Sequence, residues 1–194
     1  MYIRQHFNTI TKHRMLVMIH CFRAGMFWQG LTHDLSKYSW TEFSKGCKYW
    51  QGNRSPNNAE REDTGVSLSW LHHKGRNKHH FEYWIDYEVG TERMIGGMPM
   101  PRKYIAEMVM DRIAACKVYM ADSYNDAMPY IYLMKSCDKL WFVHEDVRRD
   151  LKFLLGMLRA RGEKETFRYI RCVYLRKGAG KNRRENSVRV EKQR

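Results

Sequence analysis

The chain has 194 residues, 43% of them hydrophobic and 13% aromatic, so it can bury a sizeable core and is not a disordered polypeptide. Its formal net charge of +14 stands beside nine histidines, which turns attention to anionic ligands and to metal ions. Its apolar runs, such as YIYLM at 130–134, fall far short of the roughly 20 residues of a spanning helix, and MYIRQHFNTITKHR has no signal-type apolar stretch. Five cysteines (Cys21, Cys47, Cys116, Cys137, Cys172) are odd in number and never form a C-x-x-C pair. They read as reduced packing thiols, and the expected location is the cytoplasm.

Residues 2–27 are predicted to form a long helix. Positions 3, 6, 10, 13, 17, 20 and 24 recur at a 3–4 spacing, which is one helix face. A shorter helix is expected at 41–50, with Thr41 near its start. The polar stretch 51–65, with Gly52, Pro56 and several Asn, reads as a loop. Short helices are expected at 66–73 and 79–87, broken at Gly75–Asn77, and 88–100 reads as a connection. Pro101 suits the first turn of a helix running to about 121. Helical pattern continues at 126–136, 144–161 and 163–175, with Gly162 as the stop between the last two. No segment alternates with period two for long, so the expectation is an all-α protein. It comprises one domain over 1–175, with the chemistry in about 10–120 and packing helices in 126–175.

The segment 176–194 carries +6 of the net charge and almost no apolar residues. It reads as a disordered basic tail, able to make weak contact with nucleic acid by counterion release. The remaining charge is spread, apart from KGRNK at 74–78.

His33–Asp34, in GLTHDLSKYS, pairs an imidazole nitrogen with a carboxylate oxygen, both ligands for borderline or hard cations. Tyr104, Met108, Asp111, Ala115 and Val118 share one helix face, so Asp111 points the same way as apolar residues. A buried carboxylate is costly unless it is paired, for example with Arg112, or binds a metal. His6, His13 and His20 share the inward face of the first helix. Seven residues span about 10 Å along a helix, so at most one of them joins His33, Asp34 and Asp111 around one ion. Four more histidines, His72, His73, His79 and His80, crowd into WLHHKGRNKHHFEYW, where Gly75 and Asn77 permit a turn that brings the pairs together. The alternative for that segment is a basic hairpin that touches nucleic acid or solvent.

The order KHRMLV, HDLSK and EMVMDRIAA resembles the HD-domain metal-dependent phosphohydrolases, whose signature is H…HD…D on an all-α bundle. The resemblance implies an HD-domain-like helical bundle, here with additional C-terminal helices. It implies His13, His33, Asp34 and Asp111 as metal ligands, with His20 as runner-up for His13. It places Lys37 at the phosphate-binding lysine of HD-x-x-K. Some members add histidines between the HD pair and the last Asp to hold a second metal, and His72, His73, His79 and His80 lie in that interval. The glycine-rich string of the cyclic-dinucleotide-cleaving subgroup is missing, so that substrate does not transfer. HDLSKYSWTEF, NRSPNNAERE, WLHHKGRNKHHFEYW and MPRKYIAEMVMDR are similar to a bacterial and phage family of unknown function that is HD-like by pattern.

The implied activity is metal-dependent hydrolysis of a phosphate ester, with a nucleotide as the leading substrate class. One or two divalent ions (Mn, Fe, Zn, Ni or Co) would be the cofactor, and N/O ligation without Cys favours Mn or Fe over a structural Zn site. Asp34, Lys37 and Glu82 are the candidate catalytic groups, and Lys37, Arg54, Arg76 and Lys78 the candidate phosphate-binding groups. Two rivals remain. One is a non-catalytic nucleic-acid-binding or phage accessory protein that uses the charge with Tyr49, Trp50, Trp70 and Trp84 as stacking platforms. The other is a degenerate HD fold that only binds its ligand.

Overall fold

A computed structural model describes residues 1–90 and 93–176. The expected basic tail lies, from residue 177 on, outside the described residues. The described chain is predominantly helical. Helix α1 (Ile3–Arg23) buries His6, Ile10, His13, Val17, His20 and Cys21, the stripe that its 3–4 spacing predicts. It stops short of residue 27, because Ala24 and Met26 donate back to Cys21 and the chain turns. Helix α2 (Phe27–Thr32) then packs against α1, and a 3-10 turn (Leu35–Tyr38) leads into α3 (Trp40–Tyr49).

The stretch expected as a loop contains helix α4 (Pro56–Thr64). Pro56 sits in its first turn, where a missing N–H costs nothing. Docking on α3 overrides the polar composition. Ala59 and Glu60 are buried, and the Glu60 carboxylate accepts from Ser67 Oγ (2.6 Å) and from Ser69 Oγ in the first turn of α5 (Leu68–Lys74).

The helix expected at 79–87 is a second correction. Only a 3-10 turn (Phe81–Trp84) forms, followed by β1 (Ile85–Tyr87), which pairs antiparallel with β2 (Ile95–Gly97) in the register Ile85↔Gly97 and Tyr87↔Ile95. The all-α expectation therefore holds except for this two-stranded ribbon. The apolar–polar pattern there is too short to announce a strand.

Helix α6 (Arg102–Met120) lies along α1 and also contacts α7 (Met128–Met134) and α8 (Glu145–Tyr169), which continues as a π turn (Ile170–Tyr174). Inside α8, Gly162 has φ 75° and ψ 177°, a conformation essentially confined to glycine, so the expected break is a kink joining two helices. One core cluster runs from Val17 and Cys21 on α1 through Ile105, Val109 and Ile113 on α6 to the C-terminal helices. Leu151, Leu154, Leu155 and Leu158 are fully buried there, and each such side chain contributes roughly 1.5–3 kcal/mol. Among the described residues, no helix is long and apolar enough to cross a membrane.

Candidate metal centre

Four separate stretches of chain deliver ligand-type side chains to one buried place. Helix α1 supplies His13, and the exit of α2 supplies His33 and Asp34. Helix α5 and the turn after it supply His73, His79 and His80, and α6 supplies Asp111. Asp34 adopts the left-handed conformation (φ 54°), which Asp tolerates better than most residues. Arg14 braces this corner by donating to the carbonyls of Leu31 (2.6 Å) and His33 (3.3 Å).

The geometry divides around Asp34. On one side, Asp34 Oδ2 lies 3.7 Å from His13 Nε2 and 3.4 Å from His33 Nε2, while Asp111 Oδ1 lies 3.0 Å from His13 Nε2 and 3.7 Å from His33 Nε2. On the other, Asp34 Oδ1 lies 3.3 Å from His73 Nε2 and 3.4 Å from His79 Nε2. Two four-residue groups result, His13–His33–Asp34–Asp111 and Asp34–His73–His79–His80, each with ligand atoms within 4.8 Å of one another. Asp34 belongs to both.

His13 Nε2, His33 Nε2, Asp34 Oδ1, His79 Nε2 and His80 Nε2 are buried with no hydrogen-bond partner among the described residues. Orphaned buried polar atoms are rare because each forfeits its hydration. Here five of them belong to the same two groups, and a divalent cation is the partner that such N/O sets accept. The residues therefore fit a metal site.

Two carboxylates that sequence reasoning misses aim these rings. Glu107 Oε1 accepts from His33 Nδ1 (2.9 Å) and lies 3.2 Å from His79 Nδ1. Glu42 Oε2 accepts from His73 Nδ1 (2.8 Å). A carboxylate facing Nδ1 holds the proton there and leaves the Nε2 lone pair toward Asp34. Glu107 had a detectable signal, since it precedes Asp111 by one helical turn on the same face. Glu42, in the polar string TEFSKG, had none.

Electrostatics make the place a trap for cations. Burial works against the charged forms of Asp34 and Asp111, yet their neighbours outweigh it. His33, Lys37 and His73 hold Asp34 well below the usual carboxylate range, and His13 and His33 do the same for Asp111. Glu107 and Glu42 are lowered too, against burial, by the histidines they bind. His33 is raised, because Asp34, Asp111 and Glu107 overcome its burial. His13 and His80 are lowered chiefly by burial, which favours the neutral, ligating imidazole.

The other expected residues divide. Lys37 Nζ is 2.7 Å from Asp34 Oδ2, at the edge of the first group. His72 lies outside both groups, because its Nδ1 turns to Glu42 Oε1 (2.7 Å). His20 also lies outside, beside Lys117 (3.2 Å) and Glu163 (4.0 Å), as two helical turns from His13 require. Arg112 makes no ion pair with Asp111. Glu82 is partly buried, with its pKa raised by desolvation, and feels Arg112, Lys74 and His73. Arg54 is occupied elsewhere, bidentate to Glu62 (2.7 and 2.6 Å). Arg76 is exposed and donates to the His72 carbonyl, and Lys78 lies over the Tyr83 ring. Of the proposed stacking aromatics, Trp70 packs edge-on against His80 and Tyr49 bonds Asp63.

The model of a family of unknown function (DUF5662) matches residues 2–157. No curated protein and no solved structure matches the chain.

Proposed function

The chain belongs to that family of unknown function, so its chemistry has to be read from its own side chains, and from them we propose a metal-dependent phosphohydrolase of HD-domain type. One observation carries the reading: the Asp34 carboxylate is shared between two groups of histidines whose ligand atoms converge without other partners. In this reading His13, His33, Asp34 and Asp111 would hold one divalent ion, and Asp34, His73, His79 and His80 would hold a second. Ions bound there would acidify water and polarise a phosphoryl oxygen.

The chain's own groups do the remaining work. Lys37, 2.7 Å from Asp34, offers its ammonium to a phosphate oxygen at the edge of the first group. Arg76 and Lys78, on the turn that carries His79 and His80, add positive charge for an anionic substrate. Glu82, raised by burial, is suited to hold a proton for the leaving group. Glu107 and Glu42 keep the ligating rings in one tautomer. A nucleotide is the proposed substrate class, N/O ligation favours Mn or Fe, and the five free cysteines suit a reducing, cytoplasmic setting.

The test is hydrolysis of p-nitrophenyl phosphate and of nucleoside mono-, di- and triphosphates by protein loaded with Mn, Fe, Co, Ni or Zn. Expected is phosphate release that disappears in Asp111→Ala. Protein that carries metal yet releases phosphate from none of these esters would overturn the reading.

A further inference from the structure

Arg112 is a cation with nothing to bind. It follows Asp111 on α6, and its Nε is buried. Among the described residues nothing accepts a hydrogen bond from that Nε, and no carboxylate forms an ion pair with the guanidinium. A buried guanidinium N–H without an acceptor is costly, and the five donors of the group suit planar or tetrahedral oxyanions.

Its surroundings say what direction it serves. The charges that reach it are Asp111 and Glu82, with Tyr132 and Cys116 beyond. Asp111 belongs to the candidate metal centre, whereas Tyr132 on α7 is 63% exposed. Arg112 is therefore within electrostatic reach both of the centre and of the exposed side of α7. Tyr119 stands seven residues further along α6, on the same helix face as Arg112. Its phenol is in electrostatic reach of Lys37, Asp34 and Asp111. Lys37, Tyr119 and Arg112 are thus all within electrostatic reach of Asp111.

We propose that Arg112 is an anion-binding residue of the candidate centre, holding phosphoryl oxygens of the substrate beside Asp111 together with Lys37. The inference rests on the phosphohydrolase reading for the identity of the anion. A guanidinium binds two oxygens of one phosphoryl group at once, which an ammonium does not. Arg112 would fix the orientation of the group, while Lys37 supplies a single point of charge.

The experiment is calorimetric titration of inorganic phosphate into the full-length, metal-loaded protein, with metal content and melting temperature measured on the same samples. Wild type, Arg112→Gln, Arg112→Lys and the remote surface variant Arg168→Gln are compared. Loss of hydrogen bonds to a charged group is expected to weaken phosphate binding about 10- to 100-fold in Arg112→Gln. Arg112→Lys should fall between it and wild type, and Arg168→Gln should match wild type, all at unchanged metal content. Wild-type phosphate affinity in Arg112→Gln or in Arg112→Lys would overturn the assignment. So would wild-type protein that holds metal yet binds no phosphate. Should Arg112→Gln not fold, the Arg112→Lys titration decides alone. Absence of metal from wild type would instead strike the phosphohydrolase reading, so the two failures are separable.

Discussion

Glu107 Oε1 lies 2.9 Å from His33 Nδ1, and the same oxygen is 3.2 Å from His79 Nδ1. One carboxylate thereby aims one histidine of each ligand group toward Asp34. Outer carboxylates of this kind contribute about 10- to 100-fold to metal affinity. Glu107→Ala is expected to weaken binding by that factor, and Glu107→Gln by less, because an amide oxygen still accepts one N–H. Competition titration against a chromophoric chelator measures it. Unchanged affinity in Glu107→Ala would show that packing alone positions the two rings.

His6 gives a pH dependence separate from the candidate metal ligands. Burial, and next the charge of Lys37, lower its pKa from 6.5 to about 4. The folded state therefore binds fewer protons than the unfolded state between those values. Stability from this group is complete above pH 6.5 and falls as the pH drops toward 4, by about 3 kcal/mol in full. Urea unfolding at pH 7.5 and pH 4.5 should show a smaller loss in His6→Gln than in wild type. Equal losses in the two proteins would contradict the assignment.

The same ring explains a glycine. A Cβ on Gly46 of α3 would run into the His6 imidazole, so α1 and α3 approach through the space a side chain would take. Gly46→Ala is expected to destabilise by about 1–3 kcal/mol, the usual cost of overpacking. Adding His6→Ala should recover part of it, since contacting residues are not additive. Thermal melts of the two single variants and the double variant give the coupling, and strict additivity would rule the contact out as the cause.

Parts of this centre are legible in the sequence for physical reasons. The 3.6-residue period picks out the inward stripe of α1, whereas α6 buries every residue from Ile105 to Met110. Of the face expected from Tyr104, Met108, Asp111, Ala115 and Val118, only Met108 is fully buried. A carboxylate among apolar residues still demands a partner, which singles out Asp111. Helix rise separates His13 from His20 by two turns, so the two cannot share an ion. The return of His79 and His80 onto His73 depends on contacts no period encodes. Asn77 Nδ2 donates to Ser36 Oγ and to the His73 carbonyl, each at 2.8 Å, and so folds the turn back toward Asp34. His72 and His73 are adjacent, yet only His73 reaches Asp34, while Glu42 takes a nitrogen from each. Helix α4 was illegible for a similar reason. It is held by docking on α3 and by the bonds of Glu60 to Ser67 and Ser69, with Ala59 as the one buried apolar residue of the helix. The ribbon of β1 and β2 has three residues in each strand, too few for alternation to stand out.

Asp34 is the residue on which both halves of the centre depend, so metal stoichiometry in its absence is the most direct measurement. Elemental analysis of purified wild type, Asp34→Ala and Asp111→Ala, with folding checked by circular dichroism, is expected to find about two divalent ions per wild-type chain, as a two-metal site requires. Asp111→Ala should lose the ion held with His13 and His33 and keep the one held with His73, His79 and His80, whereas Asp34→Ala should lose both. Folded Asp34→Ala protein with the metal content of wild type would contradict a centre built around that shared carboxylate.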